Sequence, residues 1–334
     1  MMMSPIRIGV LGAGYFGTLH ALTVNSLSEA QLCAVVDSSA TALAKLPTSL
    51  VQIPRFSDLE TAIRNTDVEA WIVASSTASH VYLAQQLLQT GAFVLLEKPI
   101  APSLAVAETL QALNDSQLGR LMLGHVLLFN SEFRELHYQC KQRSGFDYAS
   151  CYRMRPTSQA AHYADENPFF LTMIHDLYCV QSLVDGEDPI QLQAQQHRNA
   201  EGVMDLALAQ LSWDNGRIAT FYAGFLTPDS MSHEGFDRME IYGNGWMGRI
   251  TPNPRPFELW DQGYHPPMNL EMQIRSQPFT GMLTEELRCF CRVVRGEEKI
   301  PRGARYTDGI QVMRWIDQLV HRICLLYTSP SPRD

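Results

Sequence analysis

No run in this sequence approaches the roughly 20 consecutive apolar residues of a membrane-spanning helix. The apolar start, Ile8 to Gly14, is too short and glycine-rich for the core of a signal peptide. A membrane protein and an exported one are both unexpected, and the sequence reads as soluble and cytoplasmic. Positive charge is scarce as well. Against 35 acidic residues there are 26 Lys and Arg, giving a formal charge of −9, so the chain as a whole is not drawn to nucleic-acid backbones or anionic lipid. The 7 cysteines include no Cys-x-x-Cys pair, so reduced, mostly buried thiols are expected and no metal site is. No Gly-x-Ser-x-Gly nucleophile loop occurs, and His162 and His233-Glu234 lie in polar stretches without the i, i+4 histidine pair of a zinc protease. No internal repeat is visible.

What is present is length and apolar content. A chain of 334 residues, 46% of them hydrophobic, can bury two ordinary cores. In its first third, short β-branched runs (Arg7 to Leu11, Gln31 to Val36, Ala70 to Ala74, Phe93 to Leu96, Leu121 to Val126) alternate with helical patterns. Those patterns cover Phe16 to Ser26, Ala40 to Leu46, Asp58 to Asn65, Ser79 to Thr90 and Ser103 to Ser116. This βαβα rhythm predicts an α/β domain with a doubly wound parallel sheet over residues 1–123. After His125 the rhythm changes. Helices are expected at Ser131 to Arg143 and Phe170 to Val184, and a strand at Tyr148 to Arg153. Strand-like segments then follow one another at Ile190 to His197, Val203 to Trp213, Arg217 to Phe225, Arg238 to Gly243 and Trp246 to Ile250. Consecutive strands without intervening helices predict an α+β second domain over 124–323 with a largely antiparallel open sheet. A Pro-rich loop from Thr251 to Pro267 precedes helices at Thr280 to Arg295 and Tyr306 to Ile323. The final segment, 324–334, has no apolar period, reads as a non-native tail and is left out of the functional reasoning.

Gly12-Ala13-Gly14-Tyr15-Phe16-Gly17 follows an apolar strand and opens a helix, which is the pattern of a dinucleotide loop. Its glycines allow a tight turn, close approach of backbone to a pyrophosphate, and close helix-to-strand packing, and the helix N-terminus favours the anion. Asp37 ends the second strand, where a carboxylate accepts hydrogen bonds from ribose hydroxyls and repels a 2′-phosphate. NAD is favoured and NADP stays possible. The alternative for Asp37 is to cap Ser39 and the next helix.

Three further motifs carry a resemblance: Ala74-Ser75-Ser76-Thr77-Ala78-Ser79-His80, Glu97-Lys98-Pro99, and Met173-Ile174-His175-Asp176. Together with the glycine loop and Gly124-His125-Val126-Leu127-Leu128-Phe129-Asn130, they resemble the Gfo/Idh/MocA family of oxidoreductases from Ile6 to about Ile323. The resemblance implies a nicotinamide dinucleotide in the first domain. It also implies an open sheet in the second that binds a sugar, polyol or nucleotide-sugar and joins homodimers or homotetramers. Ser75 and His80 would flank the cofactor, Glu97 and Lys98 would lie beside the nicotinamide, and His175 would face the substrate. Lys98 and His175 are the residue types that can take a hydroxyl proton as hydride leaves; partial burial and a neighbouring positive charge would lower the lysine toward neutrality. The alternative for Lys98 is a surface pair with Glu97, which its place at the C-terminal end of an apolar strand disfavours, and by residue type alone His175 is a core histidine. His125 and Asp176, inside matched motifs, are candidate substrate contacts. Arg153, with Arg155 before Pro156, is either a contact to an acidic or phosphorylated substrate or part of a solvated loop.

Two departures stand out. In the family that these motifs resemble, many members carry an aspartate where this chain has Leu171, four residues before His175, and often an arginine where it has Leu128. They leave open a non-catalytic dinucleotide-binding protein, and an NAD-assisted glycoside-cleaving enzyme is a further alternative.

Overall fold

The computed structural model describes residues 4–163, 166–231, 235–253, 259–260, 264–265 and 281–328. By contacts the chain divides into two units, 1–129 with 272–310, and 130–271 with 311–334. The chain passes between the units three times, at 129/130, 271/272 and 310/311, where the sequence leads one to expect a single boundary near residue 124.

In the first unit, β1 (Ile6–Leu11), α1 (Tyr15–Ser26), β2 (Ala30–Val36), α2 (Ala40–Ala44), β3 (Arg55–Phe56), α3 (Leu59–Asn65), β4 (Ala70–Val73), α4 (His80–Thr90) and β5 (Phe93–Glu97) come first. They are followed by α5 (Leu104–Glu108), α6 (Asp115–Leu118) and β6 (Leu121–Gly124). The strands are parallel in the order β3-β2-β1-β4-β5-β6. They are nearly continuous apolar runs, as a sheet covered on both faces requires: Ile8, Val10, Ile72, Val73, Val94, Leu95 and Leu96 are fully buried. The order reverses between β1 and β4, and doubly wound sheets bind ligands beyond the strand ends at such a point. The helix expected over Ser103 to Ser116 is broken. A 3-10 turn at Thr109–Ala112 follows α5, and Asn114 then starts α6 with a capping box closed by Gln117.

The second unit contains α7 (Ser131–Gln142), β7 (Tyr148–Pro156), α8 (Ser158–His162), α9 (Ile174–Leu183), β8 (Gln191–Arg198), β9 (Met204–Ser212), β10 (Ile218–Thr227), β11 (Phe236–Gly243) and β12 (Trp246–Asn253). Its sheet runs β12-β11-β7-β10-β9-β8; β7 and β10 are parallel and every other pair is antiparallel. A π-helical stretch, Phe169–Met173, leads into α9 and packs on β10. Trp213 and Phe225 are buried packing residues, with Tyr152 and Tyr222 stacked at 4.7 Å and Trp213 edge-on to Trp315, whereas Tyr242 stacks on Tyr148 and stays partly exposed.

Helix α10 (Met282–Val294) counts with the first unit, and α11 (Tyr306–Thr328) begins there and continues in the second. Most of the Pro-rich stretch, His233-Glu234 and residues 329–334 lie outside the described residues; within the expected tail, helix continues to Thr328. Among the described residues no helix is long and apolar enough to cross a membrane, and the six described cysteines are free thiols.

Candidate active site

The glycine loop leaves β1 and turns directly into α1. Gly12 has φ +104°, and a Cβ there would come within 2.4 Å of the Ala74 carbonyl. At Gly17 a Cβ would lie 2.0 Å from the Gly12 carbonyl, so loop and helix touch backbone to backbone. Gly14 is the opposite case. It is exposed, and a Cβ would meet nothing within 4 Å, which leaves open the cradle a pyrophosphate needs. The first turn of α1 carries no acidic side chain to oppose an anion, and Tyr15 beside it is 64% exposed. Phe16 is half-buried and packs edge-on against His20 at 5.6 Å. These residues fit a dinucleotide.

Asp37 does more than its sequence position suggested. One carboxylate oxygen accepts the Ala13 N–H at 2.7 Å and the other the Ser39 N–H at 2.8 Å, so it both ties down the loop and caps the next turn. A carboxylate has about four acceptor positions, which leaves capacity for ribose hydroxyls. Asp37→Ala is therefore expected to weaken binding of both dinucleotides through the loop, and of NAD more than NADP, because a phosphate-repelling charge disappears too. Titration of both cofactors checks this; equal losses would restrict Asp37 to holding the loop.

Around the C-terminal end of β5 the first unit gathers histidines. His80 Nδ1 donates to the Pro99 carbonyl at 2.8 Å, and Nε2 lies 3.1 Å from the Ser75 carbonyl. Burial pushes its pKa down, against the two carbonyl contacts, which favour the charged ring. Ser75 itself bonds Ser79 at 2.8 Å. Glu97 is 6% exposed and turned inward, bonded at 2.8 Å by His20 Nε2 and at 3.2 Å by the Lys98 main-chain N–H. Lys98 follows directly, half-buried, with a cis peptide bond to Pro99. His125 is 2% exposed and donates from Nδ1 to the Gly303 carbonyl at 2.6 Å. Such burial leaves little surface for the substrate contact expected of it.

Burial lowers the His125 pKa to about 4, against an ordinary value near 6.5. Below pH 6.5 the unfolded chain takes up a proton that the folded protein refuses. The stability present at neutral pH should therefore fall by about 1.4 kcal/mol per pH unit as pH drops toward 4. His125→Asn should flatten that slope in melting curves measured across this window.

In the second unit His175 lies in the first turn of α9, half-buried, with Nδ1 bonded to the Tyr178 hydroxyl at 2.8 Å. Leu171 sits in the preceding π-helical stretch. Arg153 is not in a solvated loop. It is 4% exposed, grips Asp176 with two donors at 2.9 and 3.1 Å, and reaches Asp237 at 2.8 Å. Arg155 holds the second oxygen of Asp237 at 2.6 Å. Arg153 and Asp176, both expected at the substrate, are thus each other's partners inside the unit. Burial lifts the Asp176 carboxyl above the usual range despite the guanidinium, while the two carboxylates hold Arg153 firmly charged against its own burial.

Asp237, Tyr178, His20 and Glu286 escaped the sequence reading. Glu286 alone left a local signal: it lies on the apolar face of α10 with Leu283, Leu287 and Phe290, where a charged residue does not belong.

The described family "Oxidoreductase family, NAD-binding Rossmann fold" (Gfo/Idh/MocA) matches residues 6–125, and the Gfo/Idh/MocA C-terminal domain matches 122–247. A UDP-N-acetylglucosamine 3-dehydrogenase of Acidithiobacillus ferrooxidans is 26% identical over 254 residues, 75% of this chain and 74% of its own. An inositol 2-dehydrogenase of Rhizobium meliloti is 24% identical over 95% of this chain and 97% of its own. A scyllo-inositol dehydrogenase from Lactobacillus casei, solved with bound NAD(H) and scyllo-inositol, matches in fold with a TM-score of 0.81. It shares 19% identity and covers 96% of this chain and 98% of that one.

Proposed function

Since the chain belongs to the Gfo/Idh/MocA oxidoreductases and carries their NAD-binding Rossmann domain, we propose that it moves a hydride between NAD and a CH–OH carbon of a polyol or sugar. An uncharged ring such as an inositol is favoured over a nucleotide-sugar. The observation that carries this reading is Lys98, a half-buried amine at the C-terminal end of β5, where this sheet type presents its ligands.

NAD, when bound, accepts the hydride in the oxidative direction. The chain supplies the rest. The loop Gly12 to Gly17 receives the pyrophosphate, Asp37 the ribose, and Ser75 and His80 shape the wall after β4. Lys98 Nζ takes the hydroxyl proton in oxidation and returns it in reduction. His175, its ring oriented by Tyr178, is the second proton-handling residue. The preference for an uncharged substrate rests on Arg153 and Arg155, whose guanidiniums are committed to Asp176 and Asp237 and not to a diphosphate. Ile218, Leu226, Tyr242 and Met247, exposed on the second unit's strands, support assembly into a homodimer or homotetramer.

A panel of inositols, sugars and nucleotide-sugars, scored by nicotinamide absorbance with NAD and NADP, tests this; reduction of NAD by an inositol is the expected result. Turnover of nucleotide-sugars alone would overturn the substrate preference. Tight NAD binding with no turnover would favour the non-catalytic reading that Leu171 and Leu128 support. Product without net NAD reduction would indicate glycoside cleavage.

A further inference from the structure

We propose that Glu286 stands in the folded protein as a neutral carboxylic acid that pins the Glu97 carboxylate, and is thereby a positioning residue for Lys98. Glu286 is 0% exposed, and among the described residues neither of its oxygens has a hydrogen-bond partner. It faces Glu97 from β5 and His20 from α1, one polar atom of each lying within 4.8 Å of the others. Two carboxylates that close in a dry interior cannot both be ionised without a large electrostatic cost. The hydrogen bonds decide which one takes the proton. Glu97 receives the His20 ring N–H and the Lys98 main-chain N–H. Glu286 receives neither, and burial together with the Glu97 charge pushes its carboxyl well above the usual range.

The other titratable groups about Glu97 are His80 on α4, His125 after β6, and Lys98 itself; burial pushes the pKa of both histidines down. Strand β6 lies against the carboxylate too, for a Cβ on Gly124 would lie 2.9 Å from Glu97 Oε1. An acid O–H on Glu286 has the Glu97 carboxylate within 4.8 Å as the acceptor it can turn to, beside the bonds that Glu97 receives from His20 and the Lys98 amide. Glu97 then has a single orientation, and the main chain from which Lys98 projects is fixed with it.

The positioning half rests on the function proposed above, while the protonation half does not. Infrared difference spectra of full-length protein, wild type minus Glu286→Gln, should show near neutral pH the carbonyl stretch of a protonated acid in the wild type only. Loss of carboxylate bands instead would overturn the proposal. So would a stoichiometric divalent metal, found by elemental analysis of wild type and missing from Glu286→Gln, since it would make the cluster a cation site. With myo-inositol, or whichever panel member turns over, Glu286→Ala should lower turnover at least tenfold and change NAD affinity less than threefold. Glu286→Gln, which keeps a neutral donor in the same volume, should restore turnover to within threefold of wild type. Equal loss in both variants, or none in either, would overturn the positioning role. Glu286→Leu replaces the alanine variant if that one does not fold. If no panel member turns over, the oxidoreductase reading fails and the infrared band still decides the proton.

Discussion

Lys98→Met is expected to lower the rate of NAD reduction by about two to four orders of magnitude, the usual contribution of a positioned acid or base. It should leave NAD affinity within about threefold and melting temperature nearly unchanged. The separation is expected because the side chain and main chain of Lys98 have different duties. Its main-chain N–H is held by Glu97, and that bond survives the substitution. Methionine approximates the length and volume of the lysine stem, so packing at this half-buried position is kept and only the ammonium is lost. Single-turnover reduction, NAD titration and a melting curve on the same preparation measure the three quantities. Turnover within about threefold of the parent would remove Lys98 from the chemistry, and parallel loss of NAD affinity would make it a cofactor contact alone.

Arg153→Met is expected to destabilise the second unit by about 3–5 kcal/mol, the cost of removing one partner from a buried ion cluster. For a unit of this size that is a fall of roughly 10 °C in melting temperature. The guanidinium supplies three donors to Asp176 and Asp237, and each of those carboxylates is only 3% exposed. After substitution Arg155 still reaches Asp237, and Asp176 loses both of its bonds to Arg153. The sign of the pH dependence follows. A buried acid whose folded pKa is raised is stabilising below the ordinary carboxylate value near 4, and that contribution is lost as pH rises through the folded pKa. The deficit of Arg153→Met should therefore shrink as pH is lowered toward 4 and be largest at neutral pH. Arg153→Lys should recover only part of it, since an ammonium does not reproduce the forked grip on Asp176. Melting curves across pH check the series. A loss below about 1 kcal/mol at neutral pH would make the cluster incidental to stability. If Arg153→Met kept its stability but lost turnover, Arg153 would return to the substrate contacts from which its burial removes it.

The parts of the site that were legible in the sequence are local. The β1 strand, the glycine loop and α1 are encoded by an apolar run, a glycine needed at positive φ and a second needed where backbone meets backbone, all within one βα unit. The end of β5 was visible in the same way, as an apolar strand that stops at Glu97-Lys98-Pro99. Asp37 was legible in position, and its bond to Ala13 appears only once β1 and β2 lie side by side. Strand β3 was missed because two residues, Arg55 and Phe56, are too short to show a period; pairing with β2 makes them a strand.

By itself, then, the sequence determined the alternation of elements, the sheet type of each unit and the dinucleotide loop, because these follow from periodicity and backbone dihedrals over a few residues. Only the tertiary structure decided which charges are spent and which remain for chemistry. Arg153 meets Asp237, 84 positions away, because β11 pairs with β7 in the register that sets those two opposite each other. His20 meets Glu97 across 77 positions, and α10 brings Glu286 to both from much later in the chain. A carboxylate, a histidine or an arginine reads the same in sequence whether solvated or buried. The partners that stabilise it inside are set by strand register and helix packing over such distances, and those are decided by the whole core.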